Sequence, residues 1–275
     1  MTVRVLARGL HHPEGVTERP DGTLVCGSDT GELRAVDPAT GASRLLHREP
    51  AALFLGVLAD ERGGVLACDL AGRRLLRVTG SRVAPLPAPP GGWRHPNALC
   101  TAVDGRGVFV SDSGRWSTPD GLVAYVGPDR TVRVLDLGPL AFANGLCLDA
   151  AGLLCVVESA PPAPAVSRWD LAGPAGPALV ARHPLPDRVP DGVAGLADGS
   201  LLVACYRPDS VVRVLPSGEV EVLSADPTGR RLCGPTNVVC LGPDRRTAAV
   251  ACFGGYHLAA VPLPVPGLPP AYPAG

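Results

Sequence analysis

The chain has 275 residues, 46% hydrophobic and 19% charged, with 34 Gly and 31 Pro: ample for a core, too turn-rich for a helical protein. Its net charge of −1 leaves no footprint for nucleic acid or an anionic membrane, and the absence of Lys excludes P-loop, Schiff-base and pyridoxal chemistry. No apolar run approaches the ~18 residues of a membrane span, and the first residues, MTVRVLARGLHHPEG, lack the apolar stretch of a signal peptide. Nine Cys is an odd number and none forms a C-x-x-C pair, so neither a zinc ribbon nor a full disulfide set is indicated; a reducing cytoplasm is expected.

Taken in order, the chain opens with a short apolar segment, Val3 to Ala7. A unit then begins six times with an apolar run that follows a loop: at Glu14 in HHPEGV, Gly56 in FLGVLA, Asn97 in HPNALC, Asn144 in FANGLC, Asp191 in VPDGVA and Asn237 in GPTNVV. The spacings are 42, 41, 47, 47 and 46 residues. Each run leads into a turn: Asp21-Gly22, Gly63-Gly64, Asp104-Gly105, Ala151-Gly152, Asp198-Gly199 and Pro243-Asp244. Such pairs supply the positive φ of tight hairpins. A second apolar strand follows each turn, as in TLVCGS, GVLACD and LLVACY, and in most units a third, as in GELRAVD and SVVRVLP.

Short continuous apolar runs at this period predict an all-β, six-bladed β-propeller. One propeller is expected over residues 1–275, with 265–275 an extended surface tail or a disordered one. The leftover segment, Val3 to Ala7, is predicted to pair with the last blade as its outer strand, since an unpaired edge is a liability. The loops PLPAPPGG (Pro85 to Gly92) and APPAPA (Ala160 to Ala165) do not interrupt the repeat and do not read as linkers.

The innermost strand of each blade lines the central channel, so equivalent positions at its start form a ring. Read by spacing, that ring is Glu14, Gly56, Asn97, Asn144, Asp191 and Asn237, and it contains all three Asn of the chain. Alone, each Asn or Asp could cap a turn. As a set in register, two carboxylates and two or three amide oxygens suit a hard divalent cation, Ca²⁺ first, with Mg²⁺, Mn²⁺ and Zn²⁺ left open. Trp93, Trp116, Tyr206, Phe253 and Tyr256 fall in loops expected around the channel mouth and could wall a substrate pocket. Arg115 and Arg207 lie in the same loops and could bind a carboxylate. Asp29, Asp69, Asp112 and Glu158 end second strands and are expected to bond turn backbones. Cys68, Cys205 and Cys252 read as small buried hydrophobes.

HPEGV, HPNAL with VFVSDSG, FANGL, VPDGVA with DGSLLVACY, and GPTNVV with FGGYHL together resemble the senescence-marker-protein/gluconolactonase/luciferin-regenerating-enzyme family, over nearly the whole chain. Blade two and VVES at Val156 to Ser159 also resemble strictosidine-synthase-like proteins, a sister group. The resemblance implies a catalytic divalent cation held by Glu14, Asn97, Asn144 and Asp191. It implies a metal-dependent hydrolase of a small-molecule ester, a lactone first, with Asp191 as ligand and candidate base. Related lactonases use a His near the metal to activate water, which singles out His95 and His257 over His11 and His12. Two departures stand out: Ala98 follows Asn97 where the family often has Asp, and the sugar-gripping Arg of gluconolactonases is replaced by His95, with Arg94 one residue further back as the substrate-binding candidate. The alternatives are a non-hydrolytic cyclase or isomerase and a non-enzymatic binding scaffold. No nucleic-acid or membrane partner is expected.

Overall fold

The computed structural model describes residues 3–275; Met1 and Thr2, which the single-propeller reading included, lie outside the described residues. Twenty-four strands form six four-stranded antiparallel sheets. Five sheets are meanders of consecutive strands, among them blade one (Pro13–Glu18, Leu24–Ser28, Glu32–Val36, Ser43–Arg48) and blade five (Val189–Gly195, Leu201–Arg207, Ser210–Val214, Val220–Ala225). The turns between first and second strands follow from their glycines. Gly22, Gly63, Gly105, Gly152 and Gly199 all take left-handed φ, and the Asp21 and Asp198 carboxylates accept backbone N–H groups two residues on.

The sixth sheet closes the ring. Its inner three strands are Pro235–Leu241, Thr247–Cys252 and His257–Pro262, and its outer strand is Arg4–Arg8, paired antiparallel from Arg4↔Ala260 to Arg8↔His257. The segment expected to seal the ring does so, and the free edge of His257–Pro262 is thereby covered.

Apolar side chains sit between neighbouring blades. Val25 and Leu33 of blade one pack with Phe54, Val57 and Val65 of blade two; Leu66 and Leu75 of blade two pack with Leu99 and Val110 of blade three. Second strands such as Leu24–Ser28 and Val65–Asp69 are buried along their whole length, as continuous apolar runs require. Cys68, Cys205 and Cys252 are fully buried in these layers. Trp93, expected at the mouth, instead lies in the core between blades two and three, 4% exposed. Among the described residues no helix is long and apolar enough to cross a membrane.

The last segment keeps to the surface, as expected of an extended tail. It is extended but ordered along the protein. Gly267 bridges Leu196, and Leu268 N–H donates to Gly195 O in blade five. Further on, Ala271 O accepts Thr101 Oγ1 at 2.5 Å in blade three, and Pro273 O accepts Glu61 N–H at 3.2 Å in blade two. Blades five and two face each other across the ring, so the segment runs as a strap over one mouth of the channel. Pro264, Pro266, Pro269, Pro270 and Pro273 stiffen it.

Candidate active site

Each inner strand carries an irregularity at one level. In blade one, Pro13 pairs with Ser28 and Val16 with Cys26, so Glu14 and Gly15 together face Gly27. The same bulge holds Asn97–Ala98, Asn144–Gly145, Asp191–Gly192 and Leu55–Gly56. A bulge re-aims the first of its two residues, here into the channel. The second must be small because the next blade crowds it: a Cβ on Gly15 would lie 2.3 Å from Leu55 O, and one on Gly145 2.3 Å from Asp191 O.

This register corrects the spacing-based ring at two places. The counterpart of Glu14 in blade two is Leu55, not Gly56. In blade six it is Thr236, whose hydroxyl donates to Glu14 O at 2.8 Å, and not Asn237, which already pairs with Ala251 one step along the strand. The upper ring is therefore Glu14, Leu55, Asn97, Asn144, Asp191 and Thr236. Glu14, Asn97, Asn144 and Asp191 do share one level.

Two serines set the amides. Ser113 Oγ donates to Ala143 O at 2.8 Å, and Ser159 Oγ donates to Pro190 O at 2.6 Å, each reaching the inner strand of the next blade. Their single protons being used, they can only accept from Asn97 Nδ2 (2.9 Å) and Asn144 Nδ2 (3.1 Å). Each carboxamide oxygen is thus held away from its serine. Ser113 and Ser159 are candidate orienting residues that the sequence alone does not single out; the signal is their shared place one residue after Asp112 and Glu158.

Glu14 and Asp191 keep a face on the channel and are otherwise wrapped by protein. Burial pushes the Glu14 carboxyl up to about 7. Burial, then the nearby Glu14 charge, push Asp191 well above the ordinary carboxylate range, partly offset by the Asn144 amide beside it. No ion pair reaches either carboxylate among the described residues, although thirteen Arg side chains make such pairs elsewhere in the fold. No three His, Cys, Asp or Glu side chains converge among the described residues; what converges is two carboxylates and two oriented carboxamides. That donor set fits a hard cation, whose charge would relieve the mutual repulsion of Glu14 and Asp191.

The carboxylates ending second strands hold the loops that deliver the ring. Asp112 accepts the N–H groups of Arg94 (2.7 Å) and His95 (3.0 Å), Asp69 that of Leu53 (3.1 Å), and Glu158 that of Ala141 (2.9 Å). Asp29 differs: it meets His12 Nδ1 at 2.5 Å. His95 sits two residues above Asn97 with Nδ1 at 3.1 Å from Gly114 O, which makes Nε2 its open nitrogen. His257 is 2% exposed, with Nδ1 at 2.7 Å from Gly255 O and Nε2 at 2.8 Å from Arg231 O, so both nitrogens are engaged with backbone. Arg94 is bound to Asp120 through Nη1 (2.9 Å) and to its carbonyl through Nη2; Arg115 Nε shares the same carboxylate. Arg207 pairs with Asp209 and covers the Tyr206 ring.

Two aromatic groups form at the loops. Phe253 stacks on His12 at 4.6 Å, with Tyr256 on the same imidazole at 4.3 Å; Trp116 meets Phe142 edge-on at 4.9 Å, with His95 beside it. Phe142 and His12 each stand two residues before a ring residue at positive φ, and Tyr256 shares that conformation. Phe142 and His12 were not singled out for this wall; only their matching offset from Asn144 and Glu14 pointed to it.

Residues 12–253 match the model of the SMP-30/gluconolactonase/LRE-like region. No curated protein matches the sequence. Among solved structures, one assigned as a gluconolactonase is 22% identical with a TM-score of 0.79, over 97% of this chain and 93% of that one. A gluconolactonase from Xanthomonas campestris is 19% identical, TM-score 0.76, over 95% and 89%. A calcium-binding regucalcin from Agrobacterium tumefaciens is 16% identical, TM-score 0.78, over 98% and 97%. At these identities the structures share the fold.

Proposed function

Since the chain belongs to the SMP-30/gluconolactonase/LRE-like family, we propose that it is a divalent-metal-dependent hydrolase of a small ester, with lactones as the first substrates to try. One observation carries this reading: Glu14 and Asp191, buried and without a cationic partner among the described residues, converge with two carboxamides whose nitrogens are held by Ser113 and Ser159. Glu14, Asn97, Asn144 and Asp191 would hold the ion. Ca²⁺ is the first candidate on ligand hardness, with Mg²⁺, Mn²⁺ and Zn²⁺ as competitors. When bound, the cation polarises the substrate carbonyl and offsets the charge developing on its oxygen.

The remaining work falls to the chain. Asp191 takes a proton from the attacking water. His95, whose Nδ1–H is taken by Gly114 O, presents a bare Nε2 at the same mouth and can pass to the leaving oxygen the proton it first accepts from the attacking water by way of Asp191. His257, with both nitrogens on carbonyls, supports the loop instead. Trp116, Phe253 and Tyr256 wall the mouth and exclude water around the reacting carbonyl, with Tyr206 behind them. Arg94, tied to Asp120, is not free to grip a polar sugar, and the aromatic walls favour lactones and aryl esters with an apolar side. The nine unpaired cysteines fit a reducing cytoplasm.

The test is a panel of lactones and aryl esters assayed before and after exhaustive chelation. Turnover is expected to vanish and to return with one divalent ion. Full activity in the chelated protein would overturn the proposal. A metal-loaded protein with no turnover on any ester would favour the cyclase or isomerase reading at the same centre, and a protein that binds no divalent ion would favour a scaffold.

A further inference from the structure

Beneath the ring the channel opens into a second chamber of about 380 Å³, within the range of small-molecule sites. All six inner strands line it, and residues Leu268 to Tyr272 of the strap form its floor. Its walls are mostly apolar, including Leu58, Cys147, Ala194 and Val239. The two carboxylates at its edge are already neutralised: Glu18 by Arg245, and Asp149 by Arg168 at 2.6 Å. Thr101 is engaged by the strap.

Among the chamber's remaining polar side chains, Thr17 Oγ1 accepts the Ala59 N–H, Tyr272 brings a hydroxyl from the strap, and Asn237 brings the chamber's one carboxamide. Asn237, displaced by a single residue from the level of Asn97 and Asn144, has no serine beside it and makes no side-chain hydrogen bond among the described residues. Phe253 stands where Ser113 and Ser159 stand in their blades. The Asn237 amide lies over Gly192, where a Cβ would come within 3.1 Å of Nδ2, and it borders the chamber. An amide with both its donor and its acceptor open, in a mostly apolar cavity, is a polar anchor without its partner.

We propose that this lower chamber is a binding site for a small, uncharged, largely apolar molecule with one hydrogen-bonding group, which pairs with the Asn237 amide while the strap closes beneath it. A charged ligand would find no free counter-charge there. The strap is suited to this role because its five prolines leave little freedom to lose on closing, and because its carbonyls are anchored on opposite blades. The site is independent of the proposed metal chemistry, since it lies on the other side of the ring.

The probe is N-phenyl-1-naphthylamine, a neutral apolar amine whose fluorescence rises on leaving water, titrated into the full chain in excess chelator so that the upper site carries no metal. Saturable one-to-one binding is expected. Ala194→Trp fills the chamber and should weaken binding more than tenfold. Asn237→Leu, which keeps the volume and removes the anchor, should weaken it roughly three- to tenfold, the worth of one hydrogen bond. If Ala194→Trp does not fold, as judged by its melting transition, Asn237→Leu decides alone. Absence of saturable binding to the folded wild-type chain overturns the proposal, and so does wild-type affinity in Asn237→Leu, which would place the dye elsewhere, such as the aromatic mouth. Neither result bears on metal-dependent hydrolysis, which the chelation assay measures separately.

Discussion

The two ends of one channel are built from the same six strands, yet they differ in kind. At the upper level the bulged residue of each strand faces inward, and five of six positions carry side-chain oxygen, four of them as a carboxylate or carboxamide. One step below, the facing residues are Gly15, Gly56, Ala98, Gly145, Gly192 and Asn237, and beyond them the walls turn apolar. A shift of one residue at a bulge therefore decides whether a side chain joins a charged ring or a mostly apolar chamber. Asn237 shows this directly: it has the right chemistry for the ring and stands on the wrong level.

The comparison breaks most visibly at Asp191. Asp191→Ala should lower ester turnover about 10²–10⁴-fold, the range for a positioned base, and should abolish any melting shift on adding a divalent ion. A retained shift would mean that the upper ring does not bind the ion through Asp191.

The pH dependence of the chelated protein comes next. Glu14 and Asp191 have folded-state affinities for protons above those of the unfolded chain. The folded state then binds more protons between the unfolded value near 4.5 and the Glu14 value of about 7. Stability should accordingly fall as pH rises through that window, by on the order of a few kcal/mol. Saturating divalent ion should remove the fall. Urea midpoints at a series of pH values, with and without the ion, read this out; a flat chelated profile would contradict the crowding of the two carboxylates.

Ser159→Ala leaves the fold and both carboxylates but frees the Asn144 amide to rotate. Divalent-ion affinity should drop about 10–100-fold, as for other groups that orient a ligand from behind, and calorimetric titration checks it. Unchanged affinity would show that the serine does not set the amide. The smallest effect is expected at the boundary of the two levels. Gly15→Ala puts a methyl against Leu55 O and should cost about 1–3 kcal/mol, seen as a melting temperature lower by roughly 2–4 °C per kcal/mol. The lower chamber should keep its dye affinity in that variant.

Much of this arrangement can be read from residues alone. The Asp-Gly and Gly-Gly turns recur at the blade period because tight hairpins need positive φ, so the six sheets were legible, and so was Arg4–Arg8 as the strand that completes the last of them. Glu14, Asn97, Asn144 and Asp191 could be set on one level because each heads the apolar run that begins its unit at the blade period. Leu55 and Thr236 were not: a bulge adds a residue without marking it in the pattern, and counting apolar runs slipped by one at Gly56 and Asn237. Ser113 and Ser159 were hidden because an orienting hydroxyl looks like any other Ser until its two partners from different blades are in place. That the surface tail crosses the channel mouth was not legible, because a Pro-rich segment has no pattern that says what it crosses.

The closure of the ring also orders events during synthesis. Arg4–Arg8 leave the ribosome long before His257–Pro262, yet each is the other's partner. The nascent chain must carry its opening strand unpaired while five blades assemble, and Glu14 cannot be locked against Thr236 until Pro235–Leu241 has emerged. The upper ring is then a late product of translation, formed when the two most distant parts of the chain meet, and a ribosome stalled within the sixth blade would hold a protein with a nearly full core and no complete ring.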